Sequence, residues 1–295
     1  MKQAPILWLL TVIFMACHTQ AGGTQPAQHS HQLESKYLKM NQKEKTKAFI
    51  RAVNLRDTVA FKQLVWEGYI QHNPHIPSGR AALMSLFPTL EQYGTQAETI
   101  RIIEDGPYVV MHNRWTKAFP FGAEEVISFD VIRFDEQGLI AEHWDALMPN
   151  TPPNPSGRTL TDGPTAIQDP ALTEANKAKA KALFQVIVHG NQQEVGAAVM
   201  ENFHPDYHQH TPTAADGIEA VFEAFAREQW VYQQNHMVLG EGNLVLSISE
   251  GTAKGVPTVF YDLLRFEDGK IAEHWDVIQT IPQAELANDN TMFRF

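Results

Sequence analysis

Two carboxylates and a histidine recur at matching places in the two halves of this chain, and together they could move a proton. Asp130 stands in Phe129-Asp130-Val131-Ile132-Arg133-Phe134, shortly before the hexapeptide Ile140-Ala141-Glu142-His143-Trp144-Asp145. Both motifs return as Tyr261-Asp262-Leu263-Leu264-Arg265-Phe266 and Ile271-Ala272-Glu273-His274-Trp275-Asp276. A solvated carboxylate is a weak base near neutral pH. Burial among apolar residues penalises its charged form and brings its pKa nearer the working pH. Asp130 shares a strand face with Ile132 and Phe134, so that setting is expected for it, and Asp262 has the same setting in the second half. His143 and Asp145, two residues apart, fall on one face of their strand, where an antiparallel neighbour can present Asp130 to either. The trio reads as base, proton relay and orienter. It reads equally as a buried polar network holding the hairpin, with Asp130 simply paired to a histidine.

His72 is a fourth candidate catalytic residue. With Asn73 it follows Tyr69 in Tyr69-Ile70-Gln71-His72-Asn73-Pro74, which Pro74 and Pro77 keep irregular near the expected mouth of a pocket. His72 and Asn73 are the expected hydrogen-bond donors to a ligand there, and Tyr69 is a ligand contact beside them. His112 is a further donor; Ile248 or a neighbouring serine takes its place in the second half, which predicts different tasks for the two copies. Trp144 is a candidate ligand contact that alternates to the opposite face with Ile140, and an aromatic there more often packs a core. In the second copy His210, Asp262, His274 and Asp276 are the ligand contacts. The extended His208-x-His210, with His204, could offer imidazoles to zinc or another transition metal beside Asp262 or Asp276. Thirteen histidines make accidental pairs common. The chain has no His-Glu-x-x-His, no cysteine pair and no glycine-rich phosphate loop, so neither a metal nor a cofactor is expected.

Periodicity predicts what positions these residues. Helices are expected at 43–56, 58–66 and 79–93, the last kinked at Pro88, and again at 173–189, 191–203 and 217–230. Strands follow at 97–104, 108–117, 125–134 and 139–148, then at 233–241, 244–253, 256–266 and 270–281. Helices followed by a run of strands imply an α+β class: two tandem cones, each with helices on one face of a curved antiparallel sheet. Neither face of the acidic strands is polar enough for water, so the domains should pack sheet to sheet as an intrachain pseudo-dimer, leaving room for a further oligomer. The proline-rich 151–172 is linker-like, and its Asn154-Pro155-Ser156-Gly157-Arg158-Thr159 is expected to be an ordered strap on the first domain.

The composition of the 295 residues, 43% hydrophobic and 10% aromatic, supports two cores. A net charge of −11 with no basic run argues against nucleic acid as a partner. Met1-Lys2-Gln3 leads into an apolar run at 4–16, too short to span a bilayer and of signal-peptide length. Cys17 is the only cysteine, which excludes an intrachain disulfide and a thiol nucleophile elsewhere. The expected plan is a signal segment 1–17, a flexible tether 18–35, domains 36–150 and 173–285 joined by the linker 151–172, and a tail 286–295.

The run Tyr69 to Pro74 followed by Gly79-Arg80, then the acidic strand, a short turn and the hexapeptide, resembles the SnoaL-like branch of the nuclear transport factor 2 (NTF2-like) superfamily. It is similar in particular to SnoaL-like aldol-condensation enzymes. The first copy matches fully and the second partly, together covering about residues 36–285, and the strap resembles segments that follow the domain in such relatives. The resemblance implies a cone-shaped α+β barrel with a deep pocket, dimeric through the outer sheet face. It also implies cofactor-free aldol chemistry by a polyketide cyclase-like, isomerase or lyase site acting on a small apolar carbonyl compound, in which a pocket carboxylate takes a proton next to the carbonyl and His72 and Asn73 donate to the enolate oxygen. Phe14-Met15-Ala16-Cys17 resembles the lipobox of bacterial lipoproteins, although Phe14 departs from the usual aliphatic residue; plain signal cleavage nearby is the alternative. Lipidation of Cys17 implies export to the bacterial periplasm or outer membrane, with membrane contact through the lipid anchor only. The rival expectation is a non-catalytic periplasmic lipoprotein that binds a small molecule or assembles with a partner.

Overall fold

In both halves a side chain starts a helix by serving the backbone N–H groups that the helix leaves open. Asn41 caps α1 (Gln42–Leu55) by accepting from Glu44 N at 2.9 Å while Glu44 accepts from Asn41 N, and Asp57 caps α2 (Thr58–Leu64). The computed structural model describes residues 36–284 and 286–295; the expected signal segment, tether and Cys17 lie outside the described residues. α2 stops at Leu64, and the chain runs directly into β1 (Val65–Gln71). The expected third helix is two: α3 (Arg80–Met84) and α4 (Phe87–Tyr93), with Pro88 in the first turn of α4. Proline is tolerated there, but a helix cannot run through it. Four strands complete the half: β2 (Gln96–Asp105), β3 (Tyr108–Thr116), β4 (Glu125–Phe134) and β5 (Ile140–Pro149). The second half repeats the order with α5 (Thr173–His189), α6 (Gln192–Asn202), β6 (Phe203–Gln209), α7 (Ile218–Glu228), β7 (Trp230–Glu241), β8 (Leu244–Ala253), β9 (Val256–Glu267) and β10 (Lys270–Thr280). Having no proline inside it, α7 is continuous. Among the described residues, no helix is long and apolar enough to cross a membrane.

Each half folds one five-stranded sheet, β1-β5-β4-β3-β2 and β6-β10-β9-β8-β7. β1 and β6, expected as irregular segments, are edge strands parallel to β5 and β10, while the other pairings are antiparallel. In β4 and β5, Asp130 stands opposite Asp145 and Ile132 opposite His143, so the trio shares the concave face. A bulge at Ala141 pairs Arg133 with Glu142 but Phe134 with Ile140. One extra residue reverses the alternation. Ile140 therefore joins the core under the helices, and the expectation that it shares a face with Trp144 is wrong.

The outer sheet faces meet in one apolar layer. Ile127, Phe129, Val131 and Trp144 pack with Ile248, Tyr261, Leu263 and Trp275, all fully buried, as an intrachain pseudo-dimer. Two arms cross this boundary. The strap around Asn154 lies on the second domain, contrary to expectation: Asn154 Nδ2 donates to Gln209 O at 2.6 Å and Ala214 O at 2.9 Å, and Arg158 forks onto Asp216 at 2.8 and 2.9 Å. The C-terminal tail lies instead on the first domain, where Trp144 Nε1 donates to Arg294 O at 3.0 Å, as Trp275 Nε1 donates to Asp162 O at 3.0 Å. Each strap follows one domain and grips the other.

Candidate active site

Strand alternation sends Asn113 and Trp115 of β3, Ser128 and Asp130 of β4, His143 and Asp145 of β5 and Gln71 of β1 to the inside of the first cone. His143 Nε2 donates to Asp130 Oδ1 at 3.0 Å; Asn113 Nδ2 and Ser128 Oγ donate to Asp130 Oδ2 at 2.8 and 2.5 Å. Ser128 in turn accepts from Trp115 Nε1 at 3.0 Å. Gln71 Nε2 donates to His143 Nδ1 at 3.1 Å, in the neutral tautomer. Asp145 differs. Its Oδ1 accepts from Asn73 Nδ2 at 2.8 Å, whereas Oδ2 has His143 Nε2 at 3.9 Å, beyond hydrogen-bonding reach. Both oxygens of Asp130 are engaged, and Asp145 keeps one open.

The electrostatics follow this geometry. Burial pushes Asp145 up to about 6, with the Asp130 charge adding to it and His143 and the Asn73 hydrogen bond opposing it. Burial pulls His143 down, but its hydrogen bond to Asp130 and the charges of Asp145 and Asp130 outweigh this and leave it raised. The trio forms the polar end of a cavity of about 560 Å³ walled by Ile50, Val53, Leu86, Phe87 and Leu90. His75, Tyr93 and Phe121 line it too, as does Gln279, which reaches across from the second domain and accepts from Leu147 N at 2.8 Å.

Several expected site residues lie elsewhere. His72 points to the outer face: its ring donates to Thr291 O at 2.5 Å and to Glu142 Oε1 at 2.9 Å, and it stacks on Trp144 at 4.5 Å. His210 repeats this, between Thr159 O and Glu273 with Trp275 beneath it. His112 also faces out, stacked on Phe129 at 4.4 Å with Arg101 Nη1 at 3.1 Å, and burial and the Arg101 charge hold its pKa well below the usual value. Trp144 is a fully buried anchor of the inter-domain layer and no ligand contact. Tyr69 is buried outside the cavity lining, its hydroxyl accepting from Gln71 Nε2 at 3.3 Å. The physical reason is common to the outward residues. Successive residues of a strand point oppositely, so Gln71 and Asn113 hold the inward places next to His72 and His112. With Ser128, Trp115 and Gln279 they are the site residues that sequence reasoning missed; counting outward from Asp130 at period two finds Ser128.

The second trio is built alike and then filled. His274 donates to Asp262 at 3.0 Å through Nε2 and to Gln209 Oε1 at 2.9 Å through Nδ1. Thr211 Oγ1 donates to Asp276 Oδ2 at 2.6 Å, and Asp276 Oδ1, buried, has no partner. The Tyr232 hydroxyl lies 3.1 and 3.2 Å from the two Asp262 oxygens, and its ring stacks on Phe260 at 4.3 Å. Register explains the substitution. Trp115 stands opposite Ala97 and Val126, whereas its counterpart Gly251 stands opposite Tyr232, and Phe260 takes the place of Ser128. The space left is about 50 Å³. The copies do differ, through Tyr232 and not through His112.

Ligand atoms of Asp130, His143 and Asp145, and of Asp262, His274 and Asp276, lie within 4.8 Å of one another, the composition of a carboxylate and imidazole metal site. In the first trio both ring nitrogens and three carboxylate oxygens are already hydrogen-bonded, which is the geometry of a proton network. His210 is turned to the outer face and does not converge with Asp262 and Asp276.

Burial pushes Asp276 up to about 6, and this has a stability consequence. Below the unfolded-state value of about 4 the carboxyl is protonated in both states, and no charge need be buried. As pH rises through the folded value near 6, the native state must ionise it in place, and stability on the order of 3 kcal/mol is lost. The free energy of urea unfolding is therefore expected to fall between pH 4 and 6.5, and Asp276→Asn to flatten that fall; parallel curves would exclude Asp276 as its source.

The SnoaL-like domain pattern matches residues 46–143 and, separately, residues 181–274. The chain belongs to the SnoaL-like family. Each SnoaL-like domain has the NTF2-like α+β fold, and each match ends on the histidine of its trio. No curated protein matches the chain. Similar crystal structures include an NTF2-like protein of unknown function from Cytophaga hutchinsonii, 14% identical over 37% of this chain and 92% of that one, TM-score 0.32. IdmH from Streptomyces antibioticus, a putative polyketide cyclase, is 16% identical over 37% and 92%, TM-score 0.31. A putative ketosteroid isomerase from Kribbella flavida is 16% identical over 38% and 84%, TM-score 0.32. Likeness of this degree carries nothing about activity. What separates the two SnoaL-like domains lies inside them: one cone is open beside its trio and the other is occupied by Tyr232.

Proposed function

We propose that the first SnoaL-like domain binds a small apolar carbonyl compound and catalyses a cofactor-free acid/base step of the aldol, isomerase or lyase type. The observation behind this is the unoccupied Oδ2 of Asp145 at the polar end of the apolar cavity. Asp145, with its pKa pushed up to about 6, is the general base: it takes a proton from the carbon next to the carbonyl, and the C–H electron pair becomes the enolate. Asp130 orients His143 and holds it beside Asp145, where the ring tempers the charge on the carboxylate and can relay the proton. The enolate then takes the proton back at another carbon or attacks a second carbonyl. The apolar walls favour a substrate carried in by its hydrocarbon part.

Titration with cyclic ketones of increasing size, read by native mass spectrometry and by proton NMR in deuterated water, tests this. One ligand per chain and exchange of its α-protons are expected. Retention without exchange would transfer the protein to the rival class of non-catalytic binding modules, and failure to retain any such compound would remove the proposal.

A further inference from the structure

The site of the first domain is not made by that domain alone. Gln71 and Asn73, whose side chains hold His143 and Asp145, sit where β1 leaves the sheet, and the carbonyls of this turn need donors from elsewhere. The C-terminal tail brings them. Ala287 N donates to Pro74 O at 2.7 Å, and Asn288 Nδ2 donates to Asn73 O and Ile76 O, both at 2.8 Å. Asn290 Nδ2 donates to Gln71 O at 2.9 Å and to Ser78 Oγ at 3.0 Å. Beyond it the tail is pinned to the hexapeptide's outer face, with the Phe295 ring 5.0 Å from that of Trp144.

The second domain is gripped in the same way from a different part of the chain. There Asn154 donates to the carbonyls of Gln209 and Ala214, His210 to Thr159 O, and Trp275 to Asp162 O. The first domain uses Asn290 and Asn288, His72 with Thr291 O, and Trp144 with Arg294 O. An asparagine amide on the turn, a carbonyl on the histidine and a carbonyl on the tryptophan recur as a set, which marks the grip as a working part of each half and not a chance seat for a chain end.

We infer that Asn288 and Asn290 of the C-terminal tail are positioning residues for the first domain's site, holding the turn from which Gln71 and Asn73 reach His143 and Asp145. The importance of that site rests on the function proposed above. The test does not, because it is read without ligand. In the full chain, carbon-13 NMR titration of the Asp145 carboxyl is compared between wild type, Asn288→Ala/Asn290→Ala and Asn154→Ala. With the turn released, Asp145 loses the Asn73 donor that favours its charged form, and its midpoint should rise by roughly half to one pH unit. Asn154→Ala, which loosens the other domain, should leave Asp145 where it was. A folded double variant with the wild-type midpoint would overturn the inference, as would an equal shift in Asn154→Ala. Should the double variant unfold, Asn288→Leu, which keeps much of the volume and removes the donors without adding a charge, is titrated with the same two outcomes.

Discussion

Asp145→Asn is expected to lower α-proton exchange at the first site by a factor on the order of 10² to 10⁴, the usual contribution of a positioned general base. Asparagine keeps the size of the side chain and its contact with Asn73, so the cavity should survive and ligand affinity change little. What is lost is the lone pair at Oδ2, the one carboxylate oxygen of the trio with no donor upon it. Asp130→Asn should cost less, because it loosens the hold on His143 without removing the base. In wild type the exchange rate should climb as pH rises through about 6, where Asp145 gains its charge. NMR of the ketone α-protons in deuterated water reads all three. A silent Asp145→Asn with a crippling Asp130→Asn would return the base to Asp130.

Trp144→Ala is the substitution expected to cost most stability, about 3–5 kcal/mol, the range for emptying a large aromatic site in a core. Trp144 is fully buried, stacks on His72 at 4.5 Å and on Phe295 at 5.0 Å, and gives its indole N–H to Arg294 O. Its loss opens the apolar layer between the sheets and frees the end of the tail together. Trp144→Phe keeps most of the apolar contact and gives up the hydrogen bond, so it should cost about 1 kcal/mol. Urea unfolding followed by circular dichroism measures both; an alanine variant within 1 kcal/mol of wild type would mean that the layer closes over the gap.

The duplication, the α+β order and the packing of one sheet on the other were legible because each leaves a periodic trace. Asp130, Ile132 and Phe134 alternate with Phe129 and Val131, and a strand apolar on both faces has to be covered on both. The same rule places Asp130, His143 and Asp145 together from local alternation alone. It failed at His72 because the phase of a strand cannot be set where its start is misread, and at His112 because β3 is buried on both faces, so its pattern does not say which side turns inward. Residues 65–71 carry too little apolar patterning to read as a strand, so nothing showed that Gln71 and not His72 turns inward. The bulge at Ala141 is hidden for a related reason: one inserted residue leaves the motif unchanged and reverses the face of Ile140.

By itself, then, the sequence determined which residues form a trio and that two trios exist, since both follow from local alternation and from repetition. Only the tertiary structure decided which carboxylate stays open, which cone stays empty and what holds the turn at its mouth. Asp130 is saturated by donors from β3 and β5, and Tyr232 closes the second cone because Gly251 and Phe260 on other strands make room and a platform for it. The tail of one domain braces the turn of the other across more than two hundred positions. Such facts concern pairs of residues distant in the chain, and side-chain volume and hydrogen-bond capacity are shared out only when those pairs meet.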